Sequence, residues 1–140
     1  MKILVATSDT KTSTVISAAV RFRWPTSGHT EIVSDKTPVL PDIVGFDLMV
    51  VDCSLHWSIE QIQKLSEMLS DIPILYLADP YGDQMDTASA IISLGNSDYL
   101  FKPLEIDALV SSIESLTNSL GNTKDFIPQT ENISLMEDNN

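Results

Sequence analysis

The sequence has one cysteine, few basic residues and no long apolar run. Only 8 of its 140 residues are Lys or Arg, against 20 Asp and Glu, which gives a formal net charge of −12. This shortage of positive charge argues against binding to a phosphate backbone, so no direct nucleic-acid partner is predicted for this chain. Cys53 cannot form an internal disulfide, and its position at the end of an apolar segment predicts a buried side chain without a redox role.

The apolar segments are too short for a membrane. None approaches the roughly 20 residues of a membrane-spanning helix. The opening segment MKILVATSDTK also has too short an apolar run for a signal peptide, so a cytoplasmic protein with no membrane partner is expected. The length predicts a single domain over residues 1–120. Residues 121–140 are polar, lack a helical apolar period and are predicted to be a flexible tail or linker.

Short apolar runs alternate with segments of helical apolar spacing. Runs rich in β-forming residues are predicted as strands buried on both faces of a parallel sheet, namely KILVA (2–6), DLMVV (47–51), IPILYL (72–77) and DYLF (98–101). Helical spacing predicts three buried faces, formed by Val15, Ala19 and Phe22, by Ile59, Ile62, Leu65 and Leu69, and by Ile106, Leu109, Val110, Ile113 and Leu116.

Several residues mark where the helices begin and end. Ser58 and Gln61 have the spacing of a capping box at a helix start. Gly95 and Gly121 are predicted to stop their helices in the left-handed conformation. Two prolines within residues 35–46 limit the second helix to one or two turns. Right-handed crossovers then give a doubly wound α/β fold, flavodoxin-like, with five parallel strands in the order 2-1-3-4-5 and a shortened second helix.

Two charged residues close apolar segments that lie fifty residues apart. Asp52 ends the segment FDLMVVD, and Lys102 follows DYLF. Because the carboxyl ends of parallel strands meet at one edge of a sheet, these side chains are predicted to lie together. A permanent charge-assisted pair is one interpretation, since such a pair can persist for packing specificity with little net stabilisation.

With this order of elements, Asp52 and Lys102 resemble the receiver domain of two-component response regulators, the CheY-like domain. The resemblance implies that Asp52 accepts a phosphoryl group and that Lys102 contacts it. Tyr99, three residues before the lysine, matches the aromatic switch position, and Pro103 matches the proline that follows the lysine. The resemblance further implies protein partners, namely a histidine kinase or a downstream effector, with a homodimer as an option.

The metal-binding positions of this family are altered. An acidic pair after the first strand holds Mg²⁺ in receivers, but Thr7 and Ser8 stand there in this chain. Hydroxyls replace carboxylates poorly around a hard cation. Asp9 reaches the site if the strand end shifts by one residue, and Asp52 with a backbone carbonyl near Ser54 would then complete the shell. Mg²⁺ is the one cofactor that the resemblance implies, and the lost acids disfavour it.

The switch and the loop after the phospho-acceptor position also differ. Receivers carry Thr or Ser where this chain has Ala78, which cannot donate a hydrogen bond to a phosphoryl oxygen. Asp79 beside it would repel a phosphoryl group. The loop after Asp52 reads LHWSIE and lacks the family's Pro and Gly. His56 and Trp57 in this loop are expected to be solvated or packed, without a ligand.

These departures favour a degenerate receiver that acts as a protein-interaction module with impaired phosphorylation. The alternative is a working receiver in which Asp9, Asp52 and the Ser54 carbonyl suffice for Mg²⁺. A third interpretation is a flavin-binding protein of the same architecture, because the hydroxyl-rich loop TSDTKTST (7–14) precedes a helix and helix N-termini bind phosphates. Against it, Lys11 stands where the flavodoxin loop has Gly, and Asp9 would repel the anion.

No enzymatic activity is predicted, because no nucleophile has a neighbouring base with an orienting group. Two surface features bear on partners. Arg21, Arg23 and Trp24 in VRFRWP form a small basic patch and a candidate partner contact. The stretch after Lys102 has acids and no base, which disfavours the charged dimer of transcription-factor receivers; these acids are Glu105, Asp107 and Glu114.

Overall fold

The computed structural model describes residues 1–34, 45–69, 71–81 and 85–125. Strands and helices alternate along these residues. The elements are β1 (Lys2–Ala6), α1 (Thr10–Arg23), β2 (His29–Val33), β3 (Leu48–Asp52), a 3₁₀ turn (Cys53–Leu55), α2 (Ile59–Met68), β4 (Ile74–Ala78), α3 (Met85–Ile92), β5 (Ser97–Phe101) and α4 (Ile106–Asp125). The five strands form one parallel sheet in the order β2-β1-β3-β4-β5, which confirms the predicted fold class and strand order.

The register of the central strands sets the position of the site. Asp52, the last residue of β3, pairs with Leu77 of β4, and Ala78 of β4 pairs with Phe101 of β5. Lys102 follows Phe101 directly, so it lies at the same edge of the sheet as Asp52. The four strands located from the sequence are all present; β1 has its predicted bounds, and the ends of the other three differ by one or two residues. The shift in β3 brings Asp52 inside the strand.

Helices cover both faces of the sheet. Helices α2 and α3 pack on one face, where the buried cluster includes Met49, Val51, Ile62 and Ile91. Helices α1 and α4 pack on the other face, where the buried cluster includes Ile3, Val50, Ile16, Val20, Leu109 and Ile113. The central strands β1, β3 and β4 therefore separate two cores, as their continuous apolar sequences predict. The predicted burial of DYLF on both faces is wrong, because β5 lies at the edge of the sheet and is only partly buried. Among the described helices, none is both long enough and apolar enough to cross a membrane.

The helix ends agree with the sequence in two places and disagree in one. Ser58 Oγ accepts from the Gln61 amide at 3.1 Å while Gln61 Oε1 accepts from the Ser58 amide at 2.9 Å, which confirms the capping box. Gly95 has φ +102° three residues after α3 ends. The predicted stop at Gly121 is wrong, because α4 continues through it to Asp125. A glycine inside a helix costs only about 1 kcal/mol, which the rest of a long helix can offset.

Two predictions of burial are also wrong. Helical spacing predicts Phe22 on the buried face of α1, but its side chain is 81% exposed. The residues of α1 that are buried are Thr12, Ile16, Ala19 and Val20, and Phe22 is rotated by about 200° from Val20. Ile106 is 40% exposed because it is the first residue of α4, where the preceding turn of helix is missing.

Other predictions fall outside the described residues. The shortened second helix is predicted within residues 35–46, of which 35–44 are not described. The division between a domain over 1–120 and a tail over 121–140 stays a prediction.

Gly28 allows the chain to pass close to α1 before β2. Its amide donates to the Trp24 carbonyl oxygen at 2.8 Å. A Cβ at this position would lie 2.7 Å from that same oxygen and 2.7 Å from Cγ1 of Val20. Any larger residue would therefore push the connection away from the helix.

Candidate functional site

Asp52 and Lys102 form an ion pair at the carboxyl edge of the sheet. Lys102 Nζ lies 3.0 Å from Oδ1 and 3.2 Å from Oδ2 of Asp52. Asp52 is almost fully buried at 1% exposure, whereas the Lys102 side chain is 21% exposed. The Lys102 amide also donates to the Ala78 carbonyl at 2.8 Å, which extends the pairing of β4 and β5. The predicted meeting of these two strand ends is confirmed.

Two hydroxyl groups complete the surroundings of the Asp52 carboxylate. Thr7 Oγ1, at the end of β1, donates to Asp52 Oδ2 at 2.6 Å. Ser54 Oγ donates to the same oxygen at 2.8 Å. Oδ2 therefore accepts from two hydroxyls and from Lys102, while Oδ1 accepts from Lys102. Such a buried carboxylate is satisfied by donors from its own chain.

Asp9 also reaches the site, but through Lys102. It is the N-cap of α1, with Oδ1 accepting from the Lys11 amide at 3.1 Å. Oδ2 accepts from the Thr12 hydroxyl at 2.7 Å and from Lys102 Nζ at 3.3 Å. The hydrogen bond from Thr12, with further help from Lys102, holds the pKa of Asp9 below its usual value. Lys102 thus bridges two carboxylates, Asp9 and Asp52.

The charge of Lys102 is favoured by these neighbours. Burial lowers the pKa of Lys102, but the hydrogen bond and negative charge of Asp52 raise it by more, so the net shift is upward. The ammonium is therefore charged at neutral pH. Burial raises the pKa of the neighbouring Cys53 thiol, and the charge of Asp52 adds to this effect. Cys53 is buried in the core, as predicted.

Ser8 joins the end of β1 to the turn after β3. Its amide donates to Ser54 Oγ at 3.0 Å, and its hydroxyl lies 3.5 Å from the Ser54 carbonyl oxygen. That carbonyl is the backbone ligand that sequence reasoning offered for a metal. Thr7 and Ser8, at the positions where the resemblance predicts an acidic pair, therefore donate hydrogen bonds to the Asp52 carboxylate and to the Ser54 hydroxyl, respectively.

The donor set does not fit a divalent cation. The carboxylates of Asp9 and Asp52 accept hydrogen bonds from within the chain, and the Lys102 ammonium lies between them. A cation would have to displace these donors and approach a positive charge. In the part of the chain that the structure describes, no cluster of three or more His, Cys, Asp or Glu side chains could hold a metal.

The two predicted switch positions, Ala78 and Tyr99, lie on the neighbouring strands β4 and β5. Ala78 is fully buried at the end of β4 and presents no hydroxyl. Tyr99 is half-buried, and its ring makes an edge-to-face contact with Phe101, with ring centroids 5.4 Å apart. Asp79 is exposed. A switching role for Ala78 or Tyr99 stays a prediction.

In the loop after β3, His56 and Trp57 do not converge on a ligand site. Trp57 is buried in the core beside α2, so the expected packing role is confirmed. His56 is exposed and has a left-handed backbone, φ 55° and ψ 33°, which ends the 3₁₀ turn. Sequence reasoning missed the Ser54 hydroxyl, which it considered for its backbone alone. The available signal was its spacing, because a Ser two residues from a carboxylate often bonds locally.

In the hydroxyl-rich loop that suggested a flavin phosphate site, hydroxyl groups donate hydrogen bonds to other residues of the same loop. Thr12 Oγ1 donates to Asp9, and Ser13 Oγ donates to the Thr10 carbonyl at 3.0 Å. The Asp9 carboxylate caps the start of α1 at the place where a phosphate would bind. The loop thus presents a negative charge where flavin binding needs an anion site.

Comparisons with known proteins identify the fold. No protein-family model matches the chain, and no curated protein matches it either. Among solved structures, NtrX from Brucella abortus superposes with a TM-score of 0.72 at 17% identity, over 89% of this chain and 28% of NtrX. The chain therefore spans less than a third of that protein.

Isolated receiver domains match along nearly their full length. The receiver domain of the Francisella response regulator 1452 has a TM-score of 0.63 and 22% identity, over 85% of this chain and 98% of that domain. The BeF3-activated DrrB receiver domain has a TM-score of 0.66 and 19% identity, over 84% and 97%. The chain has the fold of the response regulator receiver domains, with an Asp–Lys pair at the carboxyl edge of its sheet.

Proposed function

We propose that this chain is an atypical receiver domain of a two-component signalling system, and that it acts as a protein-interaction module without regulated phosphorylation. The observation that carries the proposal is the saturation of one carboxylate oxygen. Oδ2 of Asp52 accepts from Thr7, from Ser54 and from Lys102. The receiver fold supports the signalling context, and this geometry supports the loss of phosphotransfer.

Phosphorylation of Asp52 would require its carboxylate to reach the donor and the donor's negative charge to be compensated. Oδ2 already accepts three hydrogen bonds, and the side chain is almost fully buried. Lys102 is the nearby positive charge, and it is shared with Asp9. An approaching phosphoryl donor would meet two carboxylates, and the Lys102 ammonium is already held between them.

The link from a phosphoryl group to the protein surface is also missing. Ala78 cannot donate to a phosphoryl oxygen, so a modified Asp52 would gain no bond to the end of β4. The state of the domain is therefore set by its protein partners, a histidine kinase or a downstream effector. A homodimer is compatible with this function, and the acidic chain does not act as a nucleic-acid binder.

Intact-mass measurement after incubation with acetyl phosphate and Mg²⁺ tests the proposal. No phosphate-sized gain, about 80 Da, is expected in the unmodified chain. Asp52→Asn, treated in parallel, controls for modification elsewhere, and a phosphorylatable receiver domain in the same reaction shows that the donor is active. A gain in the unmodified chain that disappears in Asp52→Asn would refute the loss of phosphotransfer.

One observation favours the alternative of a working receiver with an unusual metal shell. The Asp9 carboxylate lies at the site, 3.3 Å from Lys102 Nζ, so a rearrangement of Lys102 would leave two carboxylates facing each other. This alternative predicts a slow gain of mass that needs Mg²⁺ and is lost in both Asp9→Asn and Asp52→Asn. A gain that is independent of Asp9 would exclude this metal shell.

A further inference from the structure

A cavity of about 350 Å³ opens beside the ion pair, and we call it the edge cavity. Its walls come from the start of α1, from Asp79 after β4 and from residues 102–104 after β5. Small-molecule sites enclose about 300–1,000 Å³. The edge cavity therefore lies at the lower end of the range that suits a small organic molecule.

Part of the lining of the edge cavity is apolar. Val15 and Leu104 line it and are only partly buried, although both pack against the core between the sheet and helices α1 and α4. Pro103, which also lines it, is exposed. These side chains leave apolar surface in contact with water, so a ligand that covers them would gain the free energy of apolar burial.

The inner hydrogen-bond donors of the lining are already engaged. An ammonium carries three donors. Lys102 Nζ lies 3.0 and 3.2 Å from the two carboxylate oxygens of Asp52 and 3.3 Å from Oδ2 of Asp9. The Thr12 hydroxyl donates its one hydrogen to Asp9 at 2.7 Å. A ligand that needs a donor, such as a carboxylate or phosphate, would have to take it from one of these bonds.

Carboxylates of the lining supply acceptors instead. A carboxylate offers about four lone-pair positions. Asp9 accepts three hydrogen bonds within the chain, and its side chain is 39% exposed. Asp79 adds a second, exposed carboxylate, whose Oδ1 accepts from the Tyr81 amide at 3.0 Å. The edge cavity is thus suited to a ligand that donates hydrogen bonds and carries positive charge.

We propose that the edge cavity binds a small organic ammonium ion, namely a primary amine with an apolar body. The charged head of this ligand donates to Asp9 and Asp79. Its body covers Val15, Pro103 and Leu104. The formal net charge of −12 attracts such a cation to the protein and repels an anion of the same size.

Neither the nearby Lys11 nor the poor fit of a metal ion argues against an organic cation. Lys11 is exposed, so its ammonium can extend into water, away from a bound cation. A divalent metal ion needs several oxygen ligands at once and would displace the donors to Asp9. An ammonium needs one acceptor for each hydrogen, so it can bind the exposed part of Asp9 while Lys102 stays in place.

An amine in the edge cavity would give the module a chemical input that does not depend on phosphorylation. Only this consequence rests on the function proposed above. Binding of the amine is measured at the cavity, whereas phosphorylation of Asp52 is measured by the mass of the chain. Failure of one result therefore leaves the other unaffected.

Titration of the isotope-labelled full chain with three amines, followed by the NMR shifts of its amides, tests the site. The probes are phenethylamine, hexylamine and cyclohexylmethylamine, and each is compared with the alcohol and the carboxylate of the same carbon skeleton. At least one amine is expected to shift the amides of Thr12, Asp79 and Leu104 to saturation at millimolar concentration. Its alcohol and carboxylate should bind about fivefold more weakly or worse, and added salt should weaken the amine.

The double variant Asp9→Asn/Asp79→Asn tests the charged part of the edge cavity. It removes both negative charges, and Asn at position 9 can still cap α1. The affinity for the best amine should fall by about tenfold or more. The matched control, Glu105→Gln/Asp107→Asn, removes two exposed acids beside the start of α4 and should leave the affinity unchanged.

A second pair of variants tests the apolar part of the edge cavity. Val15→Phe places a ring at a lining position and should weaken the best amine by about fivefold or more. Ala18→Phe adds the same ring to an exposed position of α1 outside the cavity and should have no effect. Circular dichroism checks that all variants are folded.

Four results would overturn the proposal. The first is the absence of saturable shifts at the cavity amides with all three amines. The second is equal binding of the alcohols, which would show apolar binding without recognition of the charge. The third is tighter binding of the carboxylates, which would assign the cavity to anions. The fourth is an amine affinity that stays unchanged in Asp9→Asn/Asp79→Asn.

Discussion

Replacing Lys102 by Met should strongly destabilise the protein, because it leaves a buried carboxylate without its cation. Lys102 Nζ contacts both oxygens of Asp52, and Asp52 is 1% exposed. After the replacement, two hydroxyl donors remain, from Thr7 and Ser54. Removal of one partner from a buried pair costs about 3–5 kcal/mol. Since the Lys102 side chain is 21% exposed, the lower end of this range is expected.

Urea unfolding followed by far-UV circular dichroism at neutral pH measures this cost. The double variant Lys102→Met/Asp52→Asn should be more stable than Lys102→Met alone, because it leaves no unpaired buried charge. Lys64→Met on the exposed side of α2 controls for the loss of a lysine and should change the free energy of unfolding by less than about 0.5 kcal/mol. A cost for Lys102→Met below about 1 kcal/mol, or no recovery in the double variant, would refute the reasoning.

Three other perturbations test the site and its frame. The raised pKa of Lys102 adds stability that is present below the unfolded-state pKa of about 10.4 and is lost as the pH rises through the folded-state pKa. The difference in free energy of unfolding between the unmodified chain and Lys102→Met should therefore shrink at alkaline pH. A difference that stays constant would contradict this. Ser58→Ala removes the acceptor of the Gln61 amide and should cost about 1 kcal/mol in urea unfolding, and Ser58→Gly should cost less, so equal costs would argue against the cap. Gly28→Ala places a Cβ against the Trp24 carbonyl and should lower the free energy of unfolding by about 1–3 kcal/mol, and an unchanged midpoint would show that the connection relaxes.

The fold could be predicted because its central strands are short, continuous apolar runs. Strands buried on both faces need apolar residues at every position, as β1, β3 and β4 have, whereas the edge strand β2 (HTEIV) has no such run and was not located from the sequence. The other errors lie at helix surfaces and ends. Phe22 and Ile106 fit a helical period, but the period does not reveal where the buried stripe stops. Glycine often ends a helix, but α4 continues through Gly121, because the end of a helix also depends on what the following residues pack against.

The ion pair of the site was predictable and its hydrogen bonds were not. Strand ends place Asp52 and Lys102 at one edge, so sequence spacing is sufficient to bring them together. Whether a hydroxyl bonds a carboxylate depends on a rotamer and on distances of a few tenths of an ångström. The bonds from Thr7 and Ser54, and the bridge from Lys102 to Asp9, depend on such details.

The groups around Asp52 act as one electrostatic unit. Asp9, Asp52 and Lys102 together carry a single net negative charge, and the hydroxyls of Thr7 and Ser54 add donors without adding charge. An acid at position 7 would put a second carboxylate beside Asp52, at the place where Thr7 now donates at 2.6 Å, and such like charges need a cation between them. The Thr7 hydroxyl brings no second negative charge, so no such cation is needed. Hydroxyl donors from Thr7 and Ser54 therefore satisfy Oδ2 of Asp52 without a second carboxylate that would itself require a cation.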